Sequence, residues 1–114
     1  MAPKHGKAYF LLAKIFSSQG KYIEAIGGYC RGLKIAPTYA DGYFELAILF
    51  KKCRKFADSI WAYKKYLELC PKSAEGYNNL GNALYDLGKF NEAFSYSKKL
   101  EKRKSGNFES DLIM

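Results

Sequence analysis

Histidine is the side chain that most often carries general acid–base or nucleophilic chemistry at neutral pH, and this sequence has one, His5, close to its N-terminus. No triad, phosphate-binding loop or metal-ligand set can be assembled around it. Cys30, Cys53 and Cys70 cannot all pair within one chain, and they lack the CxxC spacing of zinc or redox sites. They read as reduced, mostly buried small hydrophobes. The sequence therefore assigns no catalytic residue, no metal and no cofactor. What remains is binding chemistry. Lys14, Lys51 and Lys52 can pair with carboxylates, and Asn78, Asn79 and Asn82 can donate to and accept from a peptide backbone. Phe10, Leu11, Phe44 and Ile48 supply apolar contacts beside them.

Those side chains need a scaffold, and 114 residues with 48% hydrophobic content suffice for a single packed unit. No apolar run approaches the ~20 residues of a membrane span, and the apolar stretch after the basic start is broken by Lys14, too soon for a signal peptide. A soluble, cytoplasmic protein with no membrane partner is expected. The net charge of +8 is uneven along the chain. Residues 1–39 carry six basic and one acidic side chain, residues 40–73 seven and four, and residues 74–114 six and six. The excess lies in the first two thirds and makes an acidic partner plausible there.

The scaffold repeats itself. Tyr9, Tyr43 and Tyr77 are spaced by 34 residues, and so are Leu12, Leu46 and Leu80. The small residues Ala13, Ala47 and Gly81 keep the period, as do the bulky Phe16, Phe50 and Leu84. In the second half of each unit the same holds for Tyr22, Phe56 and Phe90, and for Ala25, Ser59 and Ala93, while Pro37 and Pro71 close the first two units. Within a unit, Tyr9, Leu12, Ala13 and Phe16 have the three-and-four spacing of one helical face. Gly20 breaks that helix, and a second one, over 21–34, turns Tyr22, Ala25, Ile26, Tyr29 and Leu33 inward until Pro37 stops it. Each unit is thus a helical hairpin that must stack on its neighbours to bury both faces.

With those residues in view, the chain closely resembles the tetratricopeptide repeat (TPR) family over residues 6 to about 100. The resemblance implies an all-α, right-handed α-solenoid of three helix-turn-helix hairpins, six helices in all. It divides the chain into an N-terminal extension (1–5), units at 6–39, 40–73 and 74–104, and a C-terminal tail (105–114). It also implies a concave groove, lined by the first helix of each unit, that receives a partner peptide. The groove-facing residues are then Lys7, Phe10, Leu11, Lys14 and Ser18, followed by Asp41, Phe44, Glu45, Ile48, Lys51 and Lys52, and by Glu75, Asn78, Asn79, Asn82, Tyr85 and Asp86. An acidic peptide with apolar anchors fits this set best, although Lys51 and Lys52 also suit the C-terminal end of a helix dipole.

Two groups within the family are excluded on the same residues. Chaperone-binding members clamp a terminal carboxylate with Lys, Asn and Arg, whereas the matching sites here are Phe10, Lys14, Glu45, Glu75 and Asn79. Sugar-transferring members carry a ladder of groove asparagines, and Leu11 and Glu45 stand where two of its rungs would be. Nucleic-acid binding is disfavoured although the pI is near 9.4, because the repeats use nearly all the aromatics for packing.

The third unit departs from the pattern. Ser97 stands at an aromatic site, Tyr96 lies one residue early, Leu100 holds a small-residue site, and no proline follows. Its basic cluster, Lys98, Lys99, Lys102, Arg103 and Lys104, suits a solvated outer face. Arrays of this kind usually end in an extra solvating helix, but Ser105-Gly106-Asn107 is a breaker and Phe108–Met114 is too short. The open end is expected to continue in a longer protein, to pack on another copy in a homo-oligomer, or to be covered by Leu112-Ile113-Met114.

Overall fold

The computed structural model describes residues 2–104, with side chains from Gly6 to Tyr96 and at Lys98. The basic cluster beyond Lys98 is described in its backbone only, and the tail from Ser105 onward lies outside the described residues. Six helices follow in order: α1 Ala2–Ser18, α2 Tyr22–Ile35, α3 Ala40–Lys52, α4 Phe56–Leu69, α5 Ala74–Leu87 and α6 Phe90–Lys104. Each packs chiefly on the next, giving an elongated body of 55 × 32 × 20 Å. No strand occurs among the described residues. Helix α1 begins at Ala2, so residues 2–5 are helical and not an extension ahead of the first hairpin. Pro3 is compatible with this, since the first turn of a helix needs no N–H donor from it.

The turn inside each hairpin is the same device three times. One residue takes a left-handed backbone: Gly20 at φ 77°, Arg54 at 60° and Gly88 at 91°. The next N–H then reaches back five residues, from Lys21 to Phe16 at 2.9 Å, from Lys55 to Phe50 at 2.8 Å and from Lys89 to Leu84 at 2.8 Å. These bonds satisfy carbonyls that a helix end would otherwise leave open. Between units the period reappears as a side-chain bond. The hydroxyls of Tyr43 and Tyr77 donate to the carbonyls of Pro37 and Pro71, both at 3.1 Å.

Small residues let the paired helices close up. Ala13, Ala25, Ala47 and Ser59 are fully buried, and the Ser59 hydroxyl donates to the Ala47 carbonyl at 2.9 Å. The core forms two clusters. One joins the first unit to Leu46 and Leu49 of α3, the other joins α4 to Leu80, Ala83 and Leu84 of α5, and Phe50 packs against both. At these junctions the contacts are close: a Cβ added to Gly42 would lie 2.9 Å from Leu33, and one added to Gly76 would lie 2.8 Å from Leu67.

Two expectations about burial are corrected. Leu12 is 45% exposed, whereas its equivalents Leu46 and Leu80 are buried, because no preceding second helix covers the outer side of α1. None of the cysteines is buried. Cys30 falls off the inward stripe of α2, and Cys53 and Cys70 are the residues that end α3 and α4. They are free thiols, and burial around Cys30 raises its pKa against the opposing pull of Lys34.

Candidate binding groove

Helices α1, α3 and α5 carry the residues expected to face a partner, and the structure divides them into two cavities with a charged stretch between. At the first unit Lys7, Phe10, Leu11 and Lys14 come together with Ala36 and Tyr39 around a cavity of about 330 Å³. Lys7 and Lys14 lie two turns apart on one face of α1, and both line the cavity. Neither has an ion pair among the described residues. Phe10, expected as an exposed apolar contact, is instead a core ring at 6% exposure. Its ring lies tilted against Tyr39 at 4.4 Å and near Tyr29 at 6.1 Å. The absence of a side chain at Gly32 makes room for it. Phe10 therefore forms the floor of the cavity, and Leu11, 53% exposed, is the free apolar contact.

The middle of the face is acidic and already partly engaged. Phe44 is half-buried, edge-on to Tyr63 at 5.7 Å and to Tyr66 at 5.0 Å, and Ile48 is half-buried as well. Asn79 lies beside the hydroxyl of Tyr63 and favours its ionised form. Burial pushes Tyr63 up to about 12; Asn79 opposes this, and the carboxylates of Glu75 and Glu45 add to it. Tyr29 is likewise pushed up to about 12, by burial first and then by Glu45 and Tyr39. Lys51 spans from α3 to Asp86 of α5 at 3.9 Å, and the ammonium of Lys52 sits 5.2 Å from the centre of the Tyr22 ring. Both lysines were expected to be available to a ligand. Their position at the end of α3 gives them partners within the chain instead.

At the third unit Asn78, Asn82 and Tyr85 line a second cavity, of about 490 Å³, together with Tyr77, Gly81, Phe90, Ala93 and Phe94. Ala36, Tyr39, Phe90 and Phe94 were not among the sequence candidates. Phe94 was legible in principle. It has the register of Ile26 and Ile60, which pack toward the next unit, and the third unit has no described successor. Among the described residues no group of three or more His, Cys, Asp or Glu is gathered as a metal would require. No described helix is long and apolar enough to cross a membrane.

Tetratricopeptide repeat family models match residues 6–39 and 62–94. Among solved structures, MamA superposes with a TM-score of 0.84 at 25% identity, covering 94% of this chain and 60% of MamA. This chain thus spans about three fifths of the length of that neighbour. The first TPR domain of Spaghetti (RPAP3) bound to the HSP90 peptide SRMEEVD superposes at 0.78, with 23% identity over 95% of this chain and 86% of that one. The TPR2B domain of yeast Sti1, in complex with pHsp70, also superposes at 0.78, with 19% identity over 90% of this chain and 82% of the other. Below 25% identity these last two likenesses show the fold alone. No curated protein matches the sequence. The 34-residue period, the three identical turn devices and the matched models agree, and the chain belongs to the tetratricopeptide repeat family, whose members are generally protein-interaction modules.

Proposed function

We propose that this chain is a protein-interaction scaffold whose first unit receives an acidic, partly apolar segment of a partner. One observation carries the reading: Lys7 and Lys14 flank an apolar cavity of about 330 Å³ and have no ion pair among the described residues. A carboxylate entering there gains two charge-assisted bonds while a neighbouring apolar side chain lies on Leu11, Phe10 and Tyr39. Glu45 and Glu75 repel a partner carboxylate further along the face, so the acidic residue belongs at the first unit and not at the third. The neighbours that hold HSP90 and Hsp70 peptides support the use of this fold for peptides. The side chains here differ from those of a carboxylate clamp, and a chaperone tail is not the proposed ligand.

The test uses a fluorescein-labelled short peptide with Asp and Glu around a Leu, beside its Asn and Gln counterpart, in anisotropy titrations. Lys7→Glu with Lys14→Glu should weaken the acidic peptide at least tenfold and leave the amide peptide and the helical circular dichroism unchanged; unaltered affinity sinks the assignment. Self-association through the ends is a second reading, favoured by the exposure of Leu12, Ile15 and Phe94 at 45%, 52% and 68%.

A further inference from the structure

The two end faces of the chain are the two halves of a junction it already makes twice. At each internal junction the second helix of one unit packs on the first helix of the next. Ile26 and Ile60 face forward there, and Leu46 with Leu49, or Leu80 with Ala83, face back. In the same register the C-terminal face offers Phe94, 68% exposed, and the N-terminal face offers Leu12 and Ile15. The first two forward positions are isoleucine and the third is a larger ring. The N-terminal face has a recess to match. Beside Leu12 lies a cavity of about 280 Å³, walled by Tyr9 and Phe16, rimmed by Glu24 and Arg31, and left open at Gly27, which stands where the second unit has Trp61.

The reverse face shows the same compensation. The 490 Å³ cavity of the third unit is lined by Asn78 and Gly81, which stand where the first two units have Phe10 with Ala13 and Phe44 with Ala47. The helix that would enter it, α1, is bulkier than α5, with Leu11 and Ile15 where α5 has Asn79 and Ala83, and it matches α3 in carrying a large aliphatic residue at the second position, Leu49. One face has gained volume where the other has lost it.

Building on the self-association reading, we infer that copies of this chain stack head to tail, the Phe94 of one copy entering the recess beside Leu12 of the next while α1 of that copy seats in the cavity between α5 and α6. The partner is a second copy because the two faces complement one another and neither complements itself. A head-to-tail contact does not close on itself, so the product is an open rod that lengthens with concentration.

Sedimentation velocity on the full chain across a dilution series tests this, with circular dichroism as the folding control. The wild type should grow with concentration without reaching a fixed stoichiometry. Leu12→Glu and Phe94→Glu should each be monomeric, and their equimolar mixture should form one heterodimer and nothing larger, because one intact socket and one intact plug remain. Leu12→Ser and Phe94→Ser serve if either charged variant loses helicity. A wild type that stays monomeric overturns self-association altogether; if removing residues 105–114 then produces rods, the chain's own tail is the occupant. A wild type that assembles while each variant still assembles by itself keeps self-association and overturns this junction.

Discussion

Arg54 holds the left-handed turn position that glycine holds in the other two units, at φ 60°. A side chain with a Cβ in that region costs on the order of 1–2 kcal/mol, which the Arg54 guanidinium, 5.4 Å from the centre of the Phe56 ring, offsets in part. Arg54→Gly should therefore raise stability by about 1 kcal/mol in urea unfolding, and Gly20→Ala should lower it by about the same. Space is not the cause, because nothing lies within 4 Å of a Cβ built on Gly20. A second residue-scale consequence concerns pH. Tyr29 and Tyr63 are held at about 12 in the folded chain, above the 10.0 of a free phenol, chiefly by burial. Their neutral forms belong to the fold, so the stability they contribute is fully present below pH 10 and lost as pH rises from there through 12. Tyrosinate absorbance at 295 nm should show a delayed fraction that ionises together with the loss of helicity, and Tyr29→Phe with Tyr63→Phe should remove that fraction.

Two glycines of α2, five residues apart, face opposite surroundings. A Cβ added at Gly32 would lie 2.5 Å from the Phe10 ring, whereas one added at Gly27 meets nothing within 4 Å. Gly27→Ala should stabilise the helix by roughly 0.5–1 kcal/mol. Gly32→Ala should cost about 1–3 kcal/mol by displacing a ring that Tyr29 and Tyr39 hold in place. Opposite shifts in melting temperature check the pair. The same element shows what the sequence could tell. Hairpins, turns and most inward stripes followed from the 34-residue period, because one repeated helical spacing leaves a single way to bury the apolar residues. Phe10 did not follow. Its register points to the groove, and only the contact with Gly32 and Tyr39, from other elements, draws it into the core. The partners of Lys51 and Lys52 did not follow either, since Asp86 and Tyr22 come from other units.

For the whole molecule, a linear stack has no central core, and the stability of each unit rests on its own hairpin and on its neighbours. The second unit is covered on both sides. The first has no predecessor among the described residues, yet it keeps Phe10, Tyr29 and Leu33 buried against α3 and its linker. The third has buried Leu80, Ala83 and Leu84 on α5, but α6 contributes only Ala93 to the buried described core, while Phe90 and Phe94 are 57% and 68% exposed. Its Tyr96 lies over Tyr77 at 6.1 Å, a ring contact near the surface. Amides of α6 should therefore exchange through local opening at a free energy well below that of α3 and α4, with α1 and α2 between. Hydrogen exchange resolved by residue, at a concentration where the chain is monomeric, should give this order. At concentrations where rods form, protection should rise in α6 and α1 together and leave α3 and α4 unchanged, because only the two end helices acquire a new neighbour. Protection that rises in α6 alone would mean that something other than a second copy covers the C-terminal face.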